Sequence, residues 1–186
     1  MENANSPLSL GSATYAAKRA ADVISVLQNK DDLANNTLLE RLNSVLRDYG
    51  EKSQVTSADI GSLRAISRKL HTVFATEDIE QAALLLNKIL AEYARAPRLS
   101  SHGDSPWHLH VDSNDHAPWA EWLAASSALA LAILLAEKQR NPGGLCASPS
   151  CTRPFIDLGK GGGRTYCSPR CATRERVAAY RRREHI

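Results

Sequence analysis

Four cysteines lie in the last quarter of the chain, and their spacing is typical of a metal site. They form two close pairs separated by fifteen residues: Cys146, Cys151, Cys167 and Cys171. Four thiolates in this arrangement predict one structural zinc ion, bound tetrahedrally. Four reduced cysteines without metal are the alternative, which the paired spacing disfavours. Because four protein ligands leave no coordination position for water, zinc catalysis is not expected.

The residues between and after the two pairs predict the elements that position them. Pro154–Ile156 and Arg164–Tyr166 are expected to form a hairpin, joined by the glycine-rich turn Gly159–Gly163. Ser168 followed by Pro169 is typical of a helix start, which places Cys171 in the first helical turn. A knuckle, a hairpin and a helix carrying the last ligand predict a treble-clef-like zinc finger.

The cysteine-containing tail is also strongly basic. Residues 146–186 contain nine Lys or Arg and three Asp or Glu, whereas the whole chain has a net charge of +3. A compact basic tail favours a polyanion, and duplex DNA contacted through its phosphates is the partner predicted first. The candidate contact residues are Lys160, Arg164, Arg170, Arg174, Arg176, Arg181, Arg182 and Arg183.

Three other interpretations of the basic tail stay open. The arginines could be a solvated, fraying end of the chain. The tail could bind RNA, with Tyr166 or Tyr180 stacking on bases. It could also be a protein-interaction module whose basic face contacts an acidic partner.

The first 140 residues predict a helical bundle. Hydrophobic residues make up 43% of the chain and aromatics only 5%, which favours helices packed on helices. A long, almost uniformly apolar helix ending near Arg140 should lie at the centre. Residues 141–144 are expected to be a linker. The predicted helices are 12–29, 37–50 ending at Gly50, 57–74, one capped by Thr76 and running to 94, and the long helix after Ala117.

One short hairpin is predicted within the bundle, over residues 97–111. Its surroundings are rich in metal-binding side chains: His102, Asp104, His108, His110, Asp112, Asp115 and His116. His108 and His110 share one strand face and could bind a metal, but a polar face turned to solvent is the favoured interpretation. Arg64 and Arg68 could line a pocket for an anion, although surface positions are more common.

The remaining features exclude several classes of protein. The longest apolar stretch, Leu123–Ala136, is shorter than the roughly 20 residues that cross a membrane, so a buried core helix is expected. The N-terminus has no pattern of a signal peptide, and a cytoplasmic protein without membrane contact is expected. The GKGGGR segment lacks the phosphate-loop pattern. No acid–base or nucleophile arrangement predicts an enzyme.

The tail resembles the CGNR zinc-finger family. The resemblance rests on eight residues besides the first cysteine pair: Phe155, Asp157, Arg164, Tyr166, Cys167, Ser168, Cys171 and Arg174. The tetrad that names the family is replaced here by Cys171-Ala172-Thr173-Arg174, which keeps its cysteine and arginine. The resemblance implies a bacterial transcription regulator whose helical part is an ABATE domain. The match is looser over residues 12–140.

Together these features predict a mainly α protein in two parts. Residues 12–142 would form the helical ABATE-like domain, which binds a small-molecule effector, forms a homodimer, or both. Residues 143–186 would form the zinc finger with its basic helix. A dimer is the expected state for specific DNA binding, because one finger offers little contact area.

Overall fold

The chain folds into a mainly helical structure with two short antiparallel strand pairs, as predicted. The computed structural model describes residues 10–28, 35–52, 54–101, 107–159 and 163–184. The elements are α1 Leu10–Leu27, α2 Asn35–Asp48, a 3₁₀ turn Ser57–Asp59, α3 Ile60–Ala75, α4 Ile79–Tyr93, β1 Arg98–Ser100, β2 His108–His110, α5 Trp119–Lys138, β3 Gly143–Leu145, β4 Pro154–Ile156 and α6 Pro169–Glu184.

Helix α5 forms the centre of the bundle and packs against α1, α3 and α4. Leu123, Leu131 and Leu134 are completely buried there. Among the described residues, α5 is the one helix long and apolar enough to cross a membrane by length and composition alone. These three leucines belong to the main hydrophobic core of the chain, which is the environment predicted for a core helix.

Local sequence signals set most helix ends, with one correction. Gly50 has a φ of +81° and follows α2, where the Glu51 N–H donates to the Leu46 carbonyl. A left-handed residue after a helix is the usual reason for glycine there. Helix α4, by contrast, is capped by Asp78 and not by the predicted Thr76. The Asp78 carboxylate accepts a hydrogen bond from the Glu80 N–H at 3.0 Å.

The histidine side of the β1–β2 hairpin is half-buried, so it is less open to solvent than predicted. Leu99 and Trp107 are 66% and 70% exposed, whereas the His110 side chain is only 13% exposed. The polar groups on this side hydrogen-bond to one another, although Arg98 Nε has no partner among the described residues. Arg98, directly across from His110, donates to Asp112 at 2.7 Å. Burial of polar groups costs little free energy when each is hydrogen-bonded.

The second hairpin differs from the predicted one in its partner strand. β4 pairs with β3, with Gly143 opposite Ile156 and Leu145 opposite Pro154. The predicted return strand 164–166 is not a strand, although the Ala147 N–H donates to the Thr165 carbonyl. Residues 143–145 are therefore a strand, and the predicted linker 141–144 is wrong. The central part of the predicted turn, residues 160–162, lies outside the described residues.

The β3–β4 hairpin joins the finger to the bundle. β4 packs against α1, and Ile156 is 4% exposed within the main hydrophobic core. The Asp157 N–H donates to the Pro142 carbonyl at 2.8 Å. The predicted domain boundary between 142 and 143 therefore falls at the start of a strand that packs on the bundle.

Candidate metal centre

The first cysteine pair lies in the turn between β3 and β4. Cys146 follows β3 directly, and its N–H donates to the Arg153 carbonyl at 3.0 Å. Within the turn, the Cys151 N–H donates to the Ser148 carbonyl at 2.8 Å. These two hydrogen bonds curl the backbone so that both thiols face the same side.

The second pair lies at the start of α6, as predicted. Cys167 precedes the helix and Cys171 occupies its first turn. The Ser168 hydroxyl accepts a hydrogen bond from the Cys171 N–H at 3.3 Å, which is the contact of a helix N-cap. The predicted helix start at Ser168 and Pro169 is confirmed.

The four sulfur atoms have the spacing of a tetrahedral zinc site. All four lie within 4.8 Å of one another, and Cys167 Sγ is 3.7 Å from both Cys151 Sγ and Cys171 Sγ. Zinc–sulfur bonds of about 2.3 Å at tetrahedral angles separate the sulfurs by about 3.8 Å. The predicted ligand set can therefore hold one zinc ion. Cys146 and Cys171 are buried, as in a closed structural site.

Neighbouring groups change the acidity of the thiols in opposite directions. Burial raises the pKa of Cys151, but hydrogen bonds from the backbone and side chain of Arg153 outweigh it and lower the pKa to about 6. Burial and the adjacent thiols raise the pKa of Cys167 to about 12. Because zinc binds thiolates, Arg153 favours the metal-binding form of Cys151. Arg153, two residues after Cys151, was not predicted as part of the site.

Arg174 connects the two halves of the finger. Its guanidinium donates to the Ser148 hydroxyl at 2.6 Å and lies 3.6 Å from Cys171 Sγ. The same hydroxyl donates to Glu175 at 2.5 Å, and Ser148 is only 2% exposed. Ser148 and Glu175 were not predicted as part of the site. Arg174 was predicted as a DNA contact, and the structure gives it a contact to a zinc ligand.

Arg164, another predicted DNA contact, holds the segment before α6. Its guanidinium donates to the carbonyls of Ile156, Tyr166 and Cys167, and it lies 5.0 Å from the Phe155 ring centre. Each of its three nitrogens donates to one of these carbonyls, and the two terminal nitrogens each have a second N–H besides.

The other predicted contact residues are on the surface of α6. Arg170, Arg176, Arg181, Arg182 and Arg183 are exposed, and no ion pair within the described ranges involves them. Lys160 lies outside the described residues. The structure thus separates Arg164 and Arg174, which hydrogen-bond within the finger, from the arginines that form no ion pair among the described residues.

The remaining candidate residues do not join this site. Arg64 and Arg68 are exposed on α3, and His116 is exposed before α5. His102 and Asp104 lie outside the described residues. A cleft of about 240 Å³ separates α1 from the finger, with Lys18, Asp22, Tyr49 and Arg153 in its lining. Its charged lining suits a small polar ligand better than an apolar one.

Comparison with known proteins agrees with this geometry. The fold and the four sulfurs define a zinc finger of the four-cysteine class. Residues 144–184, from β3 into α6, match the family described as CGNR zinc finger. No curated protein matches the chain. The tail is therefore similar to CGNR fingers in sequence, and its cysteines can bind zinc in the way that this class requires.

Proposed function

We propose that this protein binds duplex DNA through α6 and acts as a transcription regulator, with the helical bundle as its sensing or dimerisation unit. The observation that carries the proposal is the surface of α6, on which five arginines are exposed without an acidic partner among the described residues. Lys and Arg on one anchored element supply most of the affinity for DNA phosphates.

The arrangement of the exposed arginines fits a helix lying against a polyanion. At about 100° per residue, Arg176 and Arg183 lie close together on one side of α6, and Arg170 and Arg181 lie on another. Both sides differ from the one that presents Cys171 to the metal. Zinc and the Ser168 cap hold the start of the helix, so these side chains are presented on a fixed support.

The test is a gel-shift titration of the zinc-loaded protein with random duplex DNA at two salt concentrations. We expect binding to weaken steeply with salt, with log K falling by about 0.9 per neutralised phosphate for each unit of log salt. The variant R170A/R181A should bind more weakly and lower that slope by up to about 2. R41A/R47A on α2, where both arginines are exposed, changes the charge equally and is the control.

If both double variants lost the same amount of DNA affinity, the loss would be due to the change in net charge. That result would contradict a DNA-binding surface on α6. No binding by the wild type at low salt would contradict the proposal as a whole. It would favour the protein-interaction module, for which an acidic partner should be recovered after nuclease treatment.

Single-stranded RNA is the second candidate partner, because Tyr180 is 61% exposed on the same helix as the arginines. Exposed aromatic side chains stack on unpaired bases, each contributing about 1–3 kcal/mol. Competition between duplex DNA and single-stranded RNA separates the two candidates. A preference for RNA that Tyr180→Ala abolishes would favour the RNA-binding function.

A further inference from the structure

Two histidines on β2 direct their nitrogens at each other. His108 and His110 are two residues apart in a strand, so their side chains lie on the same face. The Nε2 atoms are 2.8 Å apart and the ring centres 4.7 Å apart. This pair lies outside the zinc finger, and nothing in the proposed DNA-binding function uses it.

Asp112 fixes the orientation of one of the two rings. Nδ1 of His110 lies 3.1 and 3.3 Å from the two carboxylate oxygens of Asp112, which is 4% exposed. When the Nδ1–H donates a hydrogen bond to the carboxylate, the neutral ring has its lone pair on Nε2, on the side of His108. A carboxylate on the far nitrogen is the usual support of a metal-binding histidine.

The charge of the surrounding cluster favours a cation. Arg98 is held between Asp112 and Asp115, and Asp115 also accepts from the Ser100 hydroxyl at 3.0 Å. Two carboxylates against one guanidinium leave these described groups with a net negative charge. The hairpin half-buries the two histidines and exposes Leu99 and Trp107, which burial of apolar surface alone would not select. Departures of this kind are expected at functional sites.

The 2.8 Å between the two Nε2 atoms is a hydrogen-bond distance, so one of these nitrogens carries the proton that the other accepts. A metal ion that both nitrogens bind would take the place of this proton. Two imidazole nitrogens about 2.0–2.1 Å from one ion are about 2.9–3.4 Å apart, depending on the angle at the ion, so the rings would need to move only a little. Imidazole is a common ligand of Zn²⁺, Cu²⁺ and Ni²⁺.

We propose that His108 and His110 bind a divalent transition-metal ion through their Nε2 atoms, with Asp112 as a positioning residue. The ion belongs to the class that prefers imidazole nitrogen ligands. This second site is independent of the zinc site and of the DNA-binding surface on α6.

The test uses the full chain without an affinity tag, loaded with one zinc ion, and Ni²⁺ as the probe. Calorimetric titration followed by desalting and elemental analysis should give one bound nickel per chain, with zinc unchanged. H108A and H110A should each lose the saturable nickel while keeping zinc, which reports an intact finger. Asp112→Asn should weaken nickel binding about 10- to 100-fold. H116A is the matched control, because this exposed histidine lies outside the pair.

X-ray absorption on the nickel-loaded wild type tests the ligands without any substitution. At least two imidazole nitrogens and no sulfur in the nickel shell would support the site. A wild-type protein that takes up no nickel beyond its zinc would overturn the proposal. Nickel bound equally well by H108A and H110A, or bound through sulfur, would overturn it as well.

Discussion

At the scale of single residues, Arg174 shows that a residue predicted to contact DNA can have a structural role instead. Arg174 stands among the arginines of α6, but its guanidinium contacts the Ser148 hydroxyl and the sulfur of Cys171. A donor to a thiolate withdraws charge from it and orients it towards the metal. The arginine kept in the Cys171–Arg174 tetrad therefore supports the zinc site directly.

Substituting Arg174 should consequently weaken zinc binding. We expect Arg174→Ala to lower zinc affinity about 10- to 100-fold, the usual effect of losing a partner of a metal ligand. Competition with a chromophoric chelator measures this. Arg181→Ala, two turns further along the same helix, removes an exposed arginine and should leave zinc affinity unchanged. Equal affinities for the two variants would contradict the role of Arg174.

Asp112 should make the stability of the β1–β2 hairpin depend on pH. Burial alone would raise the pKa of Asp112, but hydrogen bonds from His110 and Arg98 outweigh it and lower the pKa below its usual value. A carboxyl whose folded pKa is lowered stabilises the fold above its unfolded pKa of about 3.9 and loses that contribution as pH falls through the folded pKa.

Asp112→Asn should therefore reduce the free energy of unfolding at pH 6. The gap, which is the difference in this free energy between wild type and variant, should narrow at pH 3. Urea unfolding of both proteins at the two pH values measures the gap. Zinc release in acid affects both proteins, so the difference between them isolates the carboxyl. A gap of the same size at both pH values would argue against this contribution.

At the scale of elements, the close approach of β3 to β4 fixes where the first cysteine pair is placed. Gly143 lies opposite Ile156, and a Cβ built on Gly143 would be 1.9 Å from the Phe155 carbonyl oxygen. A side chain at this position would separate the strands. The pairing of β3 with β4 therefore depends on glycine at position 143.

Gly143→Ala should destabilise the protein by about 1–3 kcal/mol, the usual cost of overpacking. Chemical unfolding of the zinc-loaded protein measures this cost. Gly144→Ala is the matched control, since its Cβ would meet the Phe155 ring at an ordinary 3.7 Å. If both alanine variants unfolded at the same denaturant concentration, the pairing of β3 with β4 would not depend on glycine at position 143.

At the scale of the whole molecule, the finger and the bundle share packing. Ile156 belongs to the core formed by the helices, and Arg140 after α5 donates to Asp157 after β4 at 3.1 Å. A metal that organises β3 and β4 therefore also supports the surface on which α1 packs. Metal binding that accompanies folding adds its free energy to the stability of the folded state.

Removing zinc should lower the melting temperature of the bundle as well as that of the finger. Circular dichroism at a helical wavelength should show the main transition shifting downward when a chelator is added, by about 2–4 °C for each kcal/mol lost. Cys167→Ser should melt at the lower temperature and respond little to the chelator. A bundle that melts at the same temperature with and without zinc would show that the two parts unfold independently.

Features that depend on local spacing could be predicted from the amino-acid sequence. The paired cysteines predicted the zinc ligands, and Ser168 with Pro169 predicted the start of α6. Gly50 predicted the end of α2, and the apolar stretch before Arg140 predicted the central helix. Each of these follows from residues within a few turns of one another, where the backbone geometry is known in advance.

Contacts between residues far apart in the sequence could be identified only in the folded chain. The Gly143–Gly144 pair looked like a linker, and it became a strand because the Phe155 backbone approaches it closely. The histidines of β2 are half-buried, with Asp112 within hydrogen-bond distance of both His110 and Arg98. Arg164 and Arg174 bind carbonyls and a thiol, whereas the other arginines of α6 form no ion pair among the described residues. Long-range pairing of this kind depends on packing and hydrogen-bond satisfaction across the fold, which the type of a residue does not encode.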